Sequence, residues 1–467
     1  MKRKKTDELE HMPIGKLIMR YYWPAFVGVI AHSIYNIIDR IFIGQGVGAE
    51  ALSGITSVFP IMIIIMAFGM LVGLGGSVKL SLFLGQKKHD KAEKVLGNVL
   101  LLIVLISLFG GILGFAIKQP MLELFGATQN TIGYANDYLN IILYGIIFQT
   151  LGFSLNNLIR AEGNARIAMI SMLIAAGTNI PLDWLFIMKF GWGVKGAAWP
   201  TIISMTILSI WVLVHFTSKR AVVRLKLSQI RFDPFIIKSI VAIGMAPFFM
   251  QIANSFVQGV YNTQLIKYGG DIAVGAFGIV MSVVILIIMS IVALNMASQP
   301  IIGYNYGARN IARVRQTMRY GMIAATVLAI ISWGIVEIFP SAIISLFNDD
   351  SEELQRIGVQ GLRIFSMMLP IVGFQVVISN YFQSVGKAKV AAFLSLLRQV
   401  LVLTPLLFIL PGTFGIKGIW MASPIADTVA AIIAGLIMIR EWRKNLAPEK
   451  ASIISDNRVV VPQKATD

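Results

Sequence analysis

Three acidic residues, Asp39, Asp183 and Asp427, fall inside long apolar stretches of the sequence. Ionised side chains are costly in hydrocarbon, so acids kept there indicate an ion, proton or substrate pathway. Asn179 precedes Asp183 by one helical turn and shares a helix face with it, and Pro181 between them loosens the backbone and frees carbonyl oxygens. Such oxygen atoms suit a hard cation such as Na⁺. The carboxylates can instead carry a proton, because two neighbouring carboxylates disfavour double ionisation.

The composition identifies the class of protein that surrounds these acids. The chain has 467 residues, of which 56% are hydrophobic and only 13% are charged, whereas soluble domains average about 25% charged residues. It contains no cysteine, which excludes disulfides, thiol nucleophiles and cysteine-based metal sites. The sequence also lacks an HExxH pair and a GxxxxGKS or GxxxxGKT loop. We therefore predict a membrane protein that is not an enzyme and needs no cofactor.

Twelve apolar runs are long enough to cross about 30 Å of hydrocarbon as helices. They are expected at residues 23–43, 57–84, 96–117, 134–156, 167–188, 194–216, 237–264, 272–300, 319–341, 359–382, 390–411 and 416–439. The predicted fold is an all-α integral membrane protein with twelve transmembrane helices. Its partner is the lipid bilayer, and we expect a monomer that crosses the cell (inner) membrane many times.

The positions of the basic residues predict the orientation. The chain carries a net charge of +17. With the N-terminus inside, most Lys and Arg fall in cytoplasmic loops and tails, as the positive-inside rule requires, while the acidic segment "NDDSEE" (348–353) lies outside. Both termini are then cytoplasmic, and "MKRKK" begins a retained tail rather than a cleaved signal. Because topology explains the charge, no nucleic-acid partner is predicted.

The two halves of the chain resemble each other at an offset of about 222 residues. The segment "NLIRAEGNARIA" (157–168) matches "NYFQSVGKAKVA" (380–391), and "GVKGAAWPT" (193–201) matches "GIKGIWMAS" (415–423). Each half has an even number of predicted spans, so the halves enter the membrane in the same direction and form a parallel internal repeat. Two six-helix bundles around a central cleft are a common transporter plan.

The repeat defines a predicted domain organisation. The parts are a cytoplasmic N-terminal tail (1–22), an N-terminal six-helix bundle (23–216), a cytoplasmic linker (217–236), a C-terminal six-helix bundle (237–440) and a cytoplasmic C-terminal tail (441–467). The linker is basic and contains Pro234, which favours a connection outside the membrane.

Several blocks of the sequence resemble the MATE (multidrug and toxic compound extrusion) antiporters of the bacterial multidrug efflux type. The blocks are "PAFVGVIAHSIYNIIDRIFIGQGVGAEALSGI" (24–55), "LFLGQKKHDKAEK" (82–94), "RAEGNARIAM" (160–169) and "SVGKAKVAA" (384–392). The resemblance implies export of lipophilic, often cationic, drugs or toxic compounds by antiport with Na⁺ or H⁺ through alternating access of two bundles. It also implies that the coupling cation or proton binds at the matching positions Asp39, Asn179, Asp183 and Thr201.

The second half of the repeat serves as a control for the acids. Tyr261 stands opposite Asp39, and Leu407 stands opposite Asp183. Packing alone predicts similar residues in both halves of a duplicated scaffold. The asymmetry therefore favours a coupling role for the first half.

Other polar residues in the spans admit more than one interpretation. Asp427 is either a second acidic site for protons or substrate, or the partner of Arg398 on the neighbouring span. Arg40 lies about 100° round the helix from Asp39, so we interpret it as an anchor at the membrane interface. The residues predicted to line the cleft are Asn36, Gln149, Gln258, Tyr261, Asn262 and Gln375.

A flippase for a lipid-linked glycan or another lipid-like substrate, from the same superfamily, is the alternative function. Such a protein would need several bases inside its spans to bind a pyrophosphate group. Charged residues near the span ends are counted with the loops, which leaves the bases Arg40, Lys79 and Arg398 in the spans, against the three acids Asp39, Asp183 and Asp427. This balance favours a cationic substrate, and the 22 methionines suit an adaptable apolar cleft.

Overall fold

The computed structural model describes residues 2–347 and 352–446, and this part of the chain is helical between its turns and loops. Ten of the described helices are long and apolar enough to cross a membrane, and two bent pairs bring the total to twelve spans. The predicted all-α membrane architecture is therefore confirmed. The predicted C-terminal tail lies outside the described residues beyond residue 446, as does most of "NDDSEE".

The first bundle follows a short N-terminal helix, α1 (Lys2–His11). Its helices are α2 (Ile14–Gly46), α3 (Ala49–Gly85), α4 (His89–Leu124), the bent pair α5 (Ile132–Tyr144) and α6 (Ile146–Ala161), α7 (Ala165–Lys189) and α8 (Lys195–Thr217). The bend between α5 and α6 is 57°.

The second bundle repeats this order. Its helices are α9 (Pro234–Gly270), α10 (Ile272–Gly307), α11 (Ile311–Ile338), the short α12 (Pro340–Ser345), the bent pair α13 (Glu352–Ser366) and α14 (Leu369–Ser384), α15 (Ala388–Phe414) and α16 (Ile416–Asn445). The bend between α13 and α14 is 47° and falls at the repeat position of the first bend.

The repeat is visible in the backbone at its exceptional residues. Gly48 and Gly270 both adopt positive φ where the first helix of each bundle ends and the second begins. This conformation is accessible to glycine without a steric penalty. Lys87 and Arg309 have positive φ as well, at 60° and 59°, in the turns after the second helix of each bundle. The two halves therefore share a backbone as well as sequence blocks.

The two bundles come into backbone contact through the helices α3 and α10. A Cβ atom added to Gly85 would lie 1.9 Å from the carbonyl oxygen of Tyr304, and one added to Gly307 would lie 2.2 Å from that of Leu82. These two contacts are related by the repeat, so a pseudo-two-fold axis passes between the helices. Glycine at both positions lets the two backbones touch.

A hydrogen bond lies close to the same axis. Gln299 Nε2 donates to Ser77 Oγ at 3.1 Å, and the two residues occupy equivalent positions in the repeat. Residues 77–85 of α3 and 296–307 of α10 are termed the seam. The seam lies toward the face that carries α1 and the end of α16, termed the tail face. The opposite face is termed the far face.

The first membrane helix begins earlier than the predicted residue 23. α2 starts at Ile14 after Pro13, and α1 precedes it. One face of this early segment is buried, while Lys16 and Arg20 on the other face are exposed. Most of the predicted tail 1–22 is therefore helical. In the sequence, the basic residues of this amphipathic segment are typical of a solvated tail, which is why the helix start was not predicted.

A buried carboxylate binds the start of the linker to the first bundle. Glu162 is fully buried at the end of α6, and its Oε2 accepts hydrogen bonds from the backbone N–H groups of Val222 at 3.0 Å and Val223 at 3.1 Å. His215 Nε2 lies 2.5 Å from Glu162 Oε1. This arrangement fixes where the chain leaves the first bundle for the second.

Adding a single methyl group at the seam is expected to destabilise the protein strongly. We expect Gly85→Ala to lower the free energy of unfolding by roughly 1–3 kcal/mol, because the new Cβ overlaps a backbone carbonyl that has no rotamer to escape into. The measurement is the melting temperature of the purified protein in detergent. Gly259→Ala on α9 is the matched control, because no atom lies within 4 Å of its added Cβ. Equal melting temperatures for both variants would contradict the close contact.

Candidate functional site

Two helices of the first bundle carry the predicted acids toward each other. Tyr35 and Asp39 lie one turn apart on α2, and Asn179 and Asp183 lie one turn apart on α7, so each pair projects from a single helix face. Asp39 is 9% exposed, and Asn179 and Asp183 are fully buried. The two carboxyl groups are close enough to interact electrostatically. The structure thus brings together three of the four predicted coupling residues.

Several oxygen atoms of this cluster have no partner in the protein. Asn179 Nδ2 donates to Asp183 Oδ1 at 3.4 Å, which leaves the amide oxygen free. Asp39 Oδ1, Asn179 Oδ1 and Asp183 Oδ2 are buried and accept no hydrogen bond from the described residues. An unsatisfied buried acceptor costs about 1–3 kcal/mol. These oxygens therefore form a set of ligands suited to Na⁺, and the carboxylates can equally bind a proton.

The charge of the cluster suits a monovalent cation or protons. It contains two carboxylates, and the remaining oxygens are neutral. The described ranges 2–347 and 352–446 contain no group of three or more His, Cys, Asp or Glu that could hold a metal ion. A centre rich in acidic side chains, which a tightly bound divalent ion usually requires, is thus not part of the described structure.

Pro181 shapes the backbone beside these oxygens. Proline has no N–H group, so the carbonyl of Gly177 loses its helical hydrogen bond. The chain then forms a π-helix over Trp184–Lys189, directly after Asp183. Single-turn π-helices are frequent at functional sites. The segment "TNIPLD" therefore places its amide and its carboxylate on a locally loosened helix.

Thr201 on α8, the fourth predicted residue, joins the cluster through a tyrosine. Its Oγ1 donates to the carbonyl oxygen of Ala197 at 3.2 Å, and its side chain lies close to the hydroxyl group of Tyr138 on α5. The Tyr138 hydroxyl also lies close to both carboxylates of the cluster. We term this group the acid chamber; it comprises Tyr35, Asp39, Tyr138, Asn179, Asp183 and Thr201.

Sequence reasoning missed the two tyrosines of the acid chamber. Tyr35 was within reach, because a polar aromatic one turn before Asp39 occupies the same helix face. Nothing in the sequence near Tyr138 indicated its role, because α5 is brought next to α2 and α7 only by tertiary packing. Both side chains are buried, and both lie close to the carboxylates.

Asp427 has a different environment in the second bundle. Arg398 Nε donates to Asp427 Oδ1 in an ion pair, and Ser423 Oγ donates to Asp427 Oδ2 at 3.5 Å. Ser423 is the repeat counterpart of Thr201. Of the two interpretations of Asp427, the structure therefore supports an ion pair with Arg398. The negative charge of Asp427 is compensated by this arginine.

Two of the predicted cleft residues occupy equivalent places after the helix bends. Gln149 follows the bend between α5 and α6, and Gln375 follows the bend between α13 and α14. The Oε1 atom of each is buried without a partner in the described chain. Asn36 is partly buried on α2, and its amide donates to the carbonyl oxygen of His32 at 2.7 Å.

The remaining predicted cleft residues lie on α9 and separate into two groups. Gln258 and Asn262 are exposed on that helix. Tyr261 is buried, and its ring stacks on Phe277 with 4.7 Å between centroids. Tyr261 therefore lies in the interior of the second bundle rather than on a cleft surface, because its helix face packs against α10.

Arg40 and Asp39 are neighbours in sequence but not in contact. Arg40 is exposed, and its guanidinium carbon lies 4.7 Å from the centroid of the Phe59 ring. The described residues show no ion pair between Arg40 and Asp39. The cation–π contact on α3 accounts for the position of Arg40.

Arg160 belongs to a helix that is longer than the predicted span. α6 continues to Ala161, whereas the predicted span ended at residue 156. Arg160 is therefore part of this helix, and its side chain is 6% exposed. Comparison of the two halves could have identified Arg160 as unusual, because its repeat counterpart is the uncharged Gln383.

The sequence and the fold both match known transporters. The MatE family matches residues 24–185 and 247–409. The multidrug export protein MepA of Staphylococcus haemolyticus is 28% identical over 455 residues, covering 97% of this chain and 99% of the relative. MepA of Staphylococcus aureus strain MW2 is 27% identical over 447 residues, covering 94% and 96%.

Solved structures give the same result. The MATE multidrug transporter DinF-BH, solved in a ligand complex, superposes with a TM-score of 0.87 at 38% identity and covers 94% of this chain and 97% of that chain. An outward-facing multidrug resistance MATE transporter of the MOP superfamily gives 0.88 at 25% identity, with 93% and 96% covered. The flippase alternative is not favoured by these comparisons. The protein is a membrane transporter rather than an enzyme, and it belongs to the MatE family.

Proposed function

We propose that this transporter exports amphipathic, cationic drugs or toxic compounds in exchange for Na⁺ or H⁺. The observation that carries the proposal is the acid chamber, in which Asp39 and Asp183 are buried and make no ion pair among the described residues. The relatives that are named multidrug exporters support the substrate class. A positively charged drug is attracted by the same carboxylates that bind the coupling cation.

Antiport follows from competition for one set of charges. When the chamber binds Na⁺ or protons, its carboxylates are neutralised and their attraction for a cationic drug is weak. When the coupling cation leaves, two negative charges are uncovered, which repel each other and attract the drug. Each ligand lowers the affinity for the other by the same factor, because such coupling is reciprocal. Only a coupling ion is required, and no organic cofactor.

The seam supplies the gate in this proposal. Closed contacts such as Gly85 with Tyr304 block the tail face, and rocking of one bundle against the other would open that face and close the far face. We infer that the tail face is cytoplasmic, because Lys and Arg are concentrated there, and that the protein resides in the cell (inner) membrane. One chain provides both bundles, which supports a monomer as the working unit.

Removing either carboxylate of the chamber is expected to abolish coupling. Asp39→Asn and Asp183→Asn keep the side-chain size but remove a negative charge, so gradient-driven efflux should fall by about tenfold or more, the factor that corresponds to a loss of about 1.4 kcal/mol. The measurement is efflux of a fluorescent lipophilic cation from proteoliposomes. Asp90→Asn, at an exposed position on the first turn of α4, is the control. Wild-type rates in both chamber variants would refute the coupling role.

Separate ion gradients are expected to identify the coupling cation. A Na⁺ gradient at equal pH, or a pH gradient without Na⁺, should accelerate drug efflux in the wild-type protein. Because protons and Na⁺ bind the same carboxylates, acidification should weaken a Na⁺-driven rate. The measurement is the same efflux assay with the two gradients imposed independently. Efflux that responds to neither gradient would exclude Na⁺ and H⁺ as coupling ions.

A further inference from the structure

Arg160 is a buried positive charge without an acidic partner. It is 6% exposed near the end of α6. Its guanidinium donates to Asn156 Oδ1 and also lies 3.6 Å from the sulfur of Met172 and 3.3 Å from the sulfur of Met296. All three acceptors are neutral, and no carboxylate pairs with Arg160 in the part of the chain that is described. A buried, uncompensated charge is costly, so it calls for a functional explanation.

The guanidinium reaches the seam between the two bundles. Met296 belongs to α10 of the second bundle, whereas Arg160 belongs to the first. Beside them lies a cavity of about 10 Å³, whose polar lining includes Ser77, Ser81, Asn157, Arg160 and Gln299. This volume is the lower limit for one water molecule. Hydroxyl and amide groups around such a cavity can hydrogen-bond a water molecule, and polar linings of this kind relay protons or replace the water shell of a small cation.

The scaffold does not require a charge at this position. The repeat counterpart of Arg160 is Gln383, which is partly buried in the second bundle. The nearest acid in sequence, Glu162, is not used to neutralise Arg160. Its oxygens instead contact His215, Asn164 and the backbone of the linker. The positive charge is therefore particular to the first half and is left uncompensated on the seam.

We propose that Arg160 is an electrostatic barrier that stops cations from leaking through the closed seam. The inference rests on the proposed cation coupling, because an antiporter loses its driving force if Na⁺ or H⁺ passes without drug. A fixed guanidinium beside a polar, water-sized cavity repels hydronium and Na⁺ where the two bundles are in contact. The charge thus acts on the coupling ion while making no contact with the acid chamber.

The test is the passive cation leak of proteoliposomes in the absence of any drug. A pH or Na⁺ gradient is imposed, and its decay is followed with an internal pH-sensitive or Na⁺-sensitive dye. We expect Arg160→Gln, the residue type found at the repeat position, to raise the leak about tenfold. Arg160→Lys keeps the charge and should stay near the wild-type rate. Arg40→Gln removes an exposed arginine away from the seam and should also leave the leak unchanged.

A second pair of variants tests the charge without altering Arg160. Met296→Glu places a carboxylate beside the guanidinium and should raise the leak by neutralising it, whereas Met296→Gln, of the same size, should not. This pair decides the question even if Arg160→Gln fails to fold. An unchanged leak in Met296→Glu, or equal leaks in Met296→Glu and Met296→Gln, would overturn the proposal. Because no drug is present, this outcome is separate from the efflux result for Asp39→Asn and Asp183→Asn.

Discussion

The buried pair of carboxylates in the first bundle is the constraint on which the rest of the molecule depends. Asp39 and Asp183 interact in the interior of a membrane-spanning bundle, and no base forms an ion pair with either in the described chain. Two negative charges in a medium of low dielectric constant are not stable together without a proton or a cation. Asn179 adds an unpartnered oxygen, and Pro181 loosens the helix beside it. The local sequence thus creates a site whose charge must change with its occupant.

The two bundles share a backbone but differ in charge. Positive-φ residues and helix bends recur at equivalent positions, so the scaffold is duplicated faithfully. In the second bundle the deep acid Asp427 is neutralised by Arg398, and Tyr261 stands where the first bundle has Asp39. A permanent ion pair cannot exchange one cation for another, whereas an uncompensated carboxylate can. This difference supports a division of labour, with coupling in the first bundle.

Local patterns in the sequence were sufficient for some features and not for others. The twelve spans follow from hydropathy. The acids of the chamber follow from their place inside apolar stretches and from the resemblance to a known family, and the comparison of the two halves supports them. The pairing of Asp427 with Arg398 stayed open, since the approach of α15 and α16 is a tertiary property. Tyr138 was missed for the same reason. The helices α2 and α6 extend beyond the predicted spans because basic residues at helix ends resemble loops, and Arg160 was therefore assigned to a loop.

The central claim is that drug and coupling cation compete for the acid chamber. The most direct measurement is the binding of a lipophilic cation to the purified protein in detergent, with released H⁺ recorded by a pH electrode in weak buffer and released Na⁺ by a selective electrode. Drug binding is predicted to release one of these cations from the wild-type protein and none from the double variant Asp39→Asn, Asp183→Asn. Equal release from both proteins would contradict the claim.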